Sequence, residues 1–127
     1  MERAILLDAE PERVWDALTE ESLLSEWLAD EVELDPREGG EVVCRYADGE
    51  ERRGEVALVE EAERLAFEWR RQGAEPSLVE IQVEAVAEGT LLTVRETGGF
   101  GPLLAAGPAW SSRLGGLRLI LGRVVLA

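Results

Sequence analysis

The chain reads as an α+β domain in which an antiparallel sheet is covered on one face by a C-terminal helix. Three observations predict this. Six consecutive segments between residues 31 and 97 alternate apolar and polar side chains, the period of a strand with one wet face. Short turns rich in Gly, Pro and Asp join them. Trp110, Leu114, Leu117, Leu121 and Val124 then step by three or four, a narrow helical stripe able to cover the exposed apolar sheet face.

In chain order, RAILLD (residues 3–8) predicts a first strand. Pro11 follows at a helix start, where its missing N–H is harmless. Val14, Trp15 and Leu18 place a short helix over residues 11–18, and Thr19 is the expected cap of a second with Leu23, Leu24 and Trp27 inward. A strand over residues 31–34 leads into the turn DPREGG, and a second over residues 41–46 sets Val42, Cys44 and Tyr46 in phase. Asp48-Gly49 signals a hairpin into residues 52–60, where Val56 and Leu58 are expected on the apolar face. RLAFEWRR (residues 64–71) puts Leu65, Phe67 and Trp69 on one side. Residues 78–86 carry Val79, Ile81 and Val83 in phase, and residues 90–97 carry Leu92, Val94 and Glu96. The last helix is expected over residues 108–122, about 22 Å long and able to lie across the strands.

With 127 residues, the expectation is one domain spanning residues 1–127 with a real core. A net charge of −14 argues against nucleic acid and against anionic lipid surfaces as partners. No apolar run reaches the ~18 residues of a membrane span. The acidic N-terminal segment does not read as a signal peptide, and the single Cys44 cannot staple a secreted domain, so a cytoplasmic protein is expected. The chain contains no His and no Lys, and all 13 basic residues are Arg. Histidine-based triads, common zinc sites and Schiff-base chemistry are therefore excluded. No cofactor and no metal are expected, because the acidic clusters near turns lack a calcium-loop pattern.

The pieces PERVWDALTEESLLSEWL (11–28), DPREGG (35–40), RRGEVALVEEAERLAFEWR (52–70), EGTLLTVRETGG (88–99) and WSSRLGGL (110–117) occur in one order along the chain. In that order they resemble the SRPBCC, or START-like, superfamily with its helix-grip fold, and most closely its branch named after the activator of the heat-shock-ninety ATPase. The resemblance implies a strongly curved antiparallel sheet, its first strand beside its last, wrapped around the long C-terminal helix. It also implies a hydrophobic small molecule held between sheet and helix. Two departures stand out: Glu96 occupies a position where many relatives carry an inward His, and GGFGPLLAAGPA (98–109) is short and apolar where relatives often have a longer acidic stretch. No relative's ligand therefore carries over.

The candidate lining on this reading is Val42, Cys44, Tyr46, Val56, Leu58, Phe67, Trp69, Ile81, Val83, Val94, Glu96, Trp110, Leu114 and Leu117. Most of these side chains suffice as plain core. Glu96 is expected at the rim, solvated or paired, or else bound to a ligand's polar end; Arg53 and Arg95 are expected in solvent. Binding or sensing of an apolar molecule is the leading function. A cyclase-like or hydrolase-like enzyme using Glu96 and Tyr46 is the alternative, and a co-chaperone-type protein-binding module a third, implied by the branch name alone. Gly115 and Gly116, with Ser112 and Leu119, are expected on a flat outer strip of the last helix, which reads either as a homodimer contact or as a kink or plain tolerance of glycine, and the sequence does not choose between them.

Overall fold

The computed structural model describes residues 1–98, 101–102 and 106–125. Strand β1 (Glu2–Leu7) leads into helices α1 (Pro11–Thr19) and α2 (Glu21–Trp27). Strands β2 (Glu31–Leu34), β3 (Glu41–Arg45), β4 (Glu51–Glu60), β5 (Arg64–Arg71), β6 (Ser77–Val86) and β7 (Gly89–Gly98) follow as a meander. A two-residue strand β8 (Gly101–Pro102) pairs with the end of β7, and helix α3 (Gly107–Val125) completes the chain. The sheet order β1-β7-β6-β5-β4-β3-β2 sets the first strand beside β7, the last strand of the meander, antiparallel throughout. The expected helix-grip architecture is what the chain adopts.

Helix α3 supplies the cover that the alternating strands require. Trp110, Leu114, Leu117 and Leu121 are buried as one stripe, widened by Ile120, against the inward side chains of the strands. The side chain of Val124 and residues 99–100 and 103–105 of the preceding connection lie outside the described residues. The edge strand β2 is closed off by α2 rather than left as an open template: Val32 N–H donates to Ser25 Oγ at 3.1 Å and Leu34 N–H to Glu21 Oε2 at 2.9 Å.

Three local expectations are corrected. Thr19 does not cap α2; its hydroxyl donates back to Trp15 O at 2.9 Å, and Glu20 is the cap residue. Leu58 does not face the helix. A bulge at Ala57 shifts the register from Val56↔Phe67 to Leu58↔Ala66, so Val59, opposite Leu65, takes the inward place and packs against the core. Gly116 is not on the outer strip either, because a Cβ there would sit 3.7 Å from Trp27 Cβ, where α2 crosses α3.

Gly115 is different: a Cβ there meets nothing within 4 Å. Gly115→Ala is therefore expected to stabilise the fold by up to about 1 kcal/mol, the helix-propensity difference without a steric cost. Chemical denaturation checks this; a destabilised variant would mean that the outer strip is covered by something.

Candidate functional site

The strand periodicity converges on one polar group inside the grip. Glu96, near the end of β7, is 3% exposed. Its position follows from Leu92 and Val94, which are buried on the same face of the strand. A bare carboxylate in that place would be costly, and the chain answers with three donors from three elements. Trp69 Nε1 on β5 donates to Oε2 at 2.8 Å, Ser77 Oγ on β6 donates to the same oxygen at 2.5 Å, and Trp110 Nε1 on α3 donates to Oε1 at 2.7 Å. The expectation of a solvated rim position is corrected: Glu96 is an internal brace that ties the sheet to the C-terminal helix.

Burial pushes the Glu96 carboxyl upward, but the hydrogen bonds from Ser77, Trp69 and Trp110 and the nearby charge of Arg52 outweigh it, so its pKa lies below the ordinary value. It is an anion at neutral pH. A general acid needs the opposite shift, and a general base needs a free lone pair facing substrate, whereas both oxygens here are engaged by protein. Glu96 and Tyr46 are also not joined: the Tyr46 hydroxyl donates to Leu28 O at 3.3 Å and accepts from Arg113 Nη2 at 3.1 Å. The arrangement suits holding a shape and a charge more than moving a proton.

Above this brace lies a layer of rings and cations. Phe67 and Trp69 meet edge to face with centroids 5.4 Å apart, and Trp69 and Trp110 lie tilted at 6.1 Å. The Arg52 guanidinium carbon sits 4.6 Å from the Trp69 centroid and 5.8 Å from that of Tyr46. The Arg113 guanidinium carbon sits 4.8 Å from Trp110, 5.4 Å from Trp69 and 5.8 Å from Tyr46. Both tryptophan faces are thus roofed by long, charged, rotatable side chains, in cation–π geometry.

Of the fourteen candidate residues, twelve are buried: Val42, Cys44, Val56, Phe67, Trp69, Ile81, Val83, Val94, Trp110, Leu114 and Leu117 in the core cluster, and Glu96 as a buried polar group among them. Tyr46 is half-buried at its margin, and Leu58 lines a small cleft of about 100 Å³ on the outer side with Ala66 and Gln82. Arg53 and Arg95 are exposed and paired with Glu51 and Glu2. The residues missed by sequence reasoning are Arg52, Ser77 and Arg113. Period two was enough to find Ser77, which shares the face of Val79; Arg52 shares the face of Val56, but a charge at a strand start reads as solvated. Arg113 sits three residues beyond Trp110, on the border of the helical stripe, where a charge reads as solvated.

Cys44 lies beneath the two arginines, fully buried, and burial pushes its thiol up to about 12 against the opposing pull of Arg113 and Arg52. The thiol is therefore protonated at pH 8, and a thiol-specific disulfide reagent is expected to label it only through unfolding, at a rate that climbs with urea. Rapid stoichiometric labelling of the native protein would contradict this packing.

A broad open trough of about 860 Å³ lies elsewhere, beside the turns after β3 and β5, between Gly49, Arg53, Arg70 and Glu75. It contains none of the fourteen candidates, and much of its charge is already paired, Arg53 with Glu51 and Arg71 with Glu50. Among the described residues no group of acids and Cys is placed to hold a metal ion, and no helix is long and apolar enough to cross a membrane.

A curved antiparallel meander closed around a C-terminal helix, with β1 beside β7, defines the helix-grip class. Within that class the match is specific. The chain belongs to the family described as activator of Hsp90 ATPase homolog 1-like protein, whose model matches residues 8–112. Three solved structures share the fold. DynU16, from the dynemicin biosynthetic locus, superposes with a TM-score of 0.88 at 24% identity, over 96% of this chain and 46% of its own length. A protein from Mesorhizobium loti gives 0.88 at 22% identity, over 97% and 96% of the two chains. The Aha1 dimer from Colwellia psychrerythraea gives 0.75 at 21% identity, over 95% and 94% of the two chains. Comparison with curated proteins by sequence found no match.

Proposed function

We propose that this protein is a binding module for a small, largely apolar molecule, held at the end of the sheet–helix interface where Tyr46, Trp69 and Trp110 meet. The observation that carries this is the roof. Two tryptophan faces that are otherwise buried are covered by Arg52 and Arg113, side chains that can swing aside without disturbing the backbone. Branched aliphatic side chains in that place would make a solid core. The internal anion, held by three neutral donors, fixes the rings beneath and leaves no poised acid or base, which favours binding over catalysis. The cyclase-like and co-chaperone readings lack a comparable feature among the described residues. A homodimer across α3 is a separate proposal, resting on Leu119, which is 70% exposed beside the open Gly115.

Native mass spectrometry of freshly purified protein tests the binding reading. A small-molecule adduct that is lost on denaturation is expected. The bare chain mass, together with no thermal stabilisation by any of a panel of lipophilic compounds, would overturn it.

A further inference from the structure

We propose that Arg113, with Arg52, recognises a carboxylate on the bound molecule, so that the ligand class is an aromatic or polycyclic acid. This rests on the binding reading above and names the chemistry of that same site. Both guanidinium groups lie within 6 Å of the same two rings, Tyr46 and Trp69, in a chain whose net charge is −14. Their compensation by the protein is unequal. Arg52 Nε is bound to Glu50 Oε1 at 2.8 Å, and its charge also reaches Glu96. Arg113 has no ion-pair partner among the described residues; its Nη2 donates to a neutral phenol, Tyr46.

Glu96 is not the missing counter-ion for Arg113. Its oxygens are taken by the two indoles and Ser77, none of them charged. What remains is a half-buried cation with a planar donor fork, lying against the same Tyr46 and Trp69 rings that a second cation approaches. A guanidinium in this setting pairs best with a planar oxyanion, bidentately, while the ring system attached to that anion stacks on or replaces the cation over Trp110 and Trp69. A neutral apolar ligand would have to cover Arg113 without compensating it, which costs binding energy.

Calorimetric titration of the intact protein at pH 7.5 with 2-naphthoate and with 2-naphthamide, its neutral isostere, tests the inference. The acid is expected to bind about tenfold or more tightly than the amide. In Arg113→Met the acid is expected to fall to the level of the amide, while Arg113→Lys recovers part of the preference. Equal affinities of acid and amide for the wild-type protein would overturn carboxylate recognition and leave the binding reading standing. Saturable binding of neither would overturn both. The wild-type comparison decides even if a variant folds poorly.

Discussion

Glu96→Ala is expected to lower the unfolding free energy by about 4 kcal/mol. The substitution removes the acceptor for three buried donors at once, and each orphaned donor costs about 1–3 kcal/mol, offset in part by water entering the space. Against the ~5–15 kcal/mol of a typical domain, that is a large fraction. Glu96→Gln keeps the volume and still costs about 2 kcal/mol. An amide has one acceptor oxygen, so whichever way it turns, its NH2 faces the indole N–H of Trp69 or of Trp110.

The same pair of proteins separates out the pH dependence. The folded pKa of Glu96 is lowered, so its contribution is fully present above the unfolded value of about 4.3 and is lost as pH falls through the folded value. The stability gap between wild type and Glu96→Gln should stay level from pH 8 to about 5 and narrow below about 4.3. Other acids titrate in both proteins and cancel. A gap that widens on acidification would mean the carboxyl is protonated in the native state.

Gly54→Ala is expected to cost about 3 kcal/mol, at the upper end for overpacking. Gly54 lies opposite Trp69 in the β4–β5 ladder. A Cβ there would fall onto the Glu68 carbonyl and 2.8 Å from Trp69 Cα, both of them backbone, so relief requires prising the two strands apart. Loss of the Arg52 contact with the Trp69 face should accompany the destabilisation, seen as a change in tryptophan emission. Urea denaturation of Gly54→Ala and Gly115→Ala side by side would show opposite signs for one chemical change.

The architecture was legible because it rests on periodicity, which a chain displays openly: two residues per repeat in the strands and three to four in α3. The bulge was not legible. Val56 and Leu58 alternate correctly on paper, and only the ladder with Phe67 and Ala66 reveals the extra residue at Ala57. Glu96 was placed inward by phase, yet its burial depended on donors from β5, β6 and α3 that are 14 to 27 positions away. Arg52 illustrates another limit. It shares a strand face with Val56, but a charge at a strand start reads as solvent-facing until Tyr46 and Trp69 are known to flank it. Gly116 looked outward because helical phase says nothing of a second helix crossing there.

The central claim is that an ionised Glu96 inside the grip holds the indoles of Trp69 and Trp110. Hydrogen exchange of the four tryptophan indole N–H groups, followed by nitrogen-15 NMR, tests it most directly. The Trp69 and Trp110 indole protons should exchange more than about a thousandfold slower than free indole, and both resonances should move in Glu96→Gln while that of Trp27, bound to Ala17 O, stays in place. Fast exchange at Trp69 and Trp110, or resonances indifferent to Glu96→Gln, would contradict it.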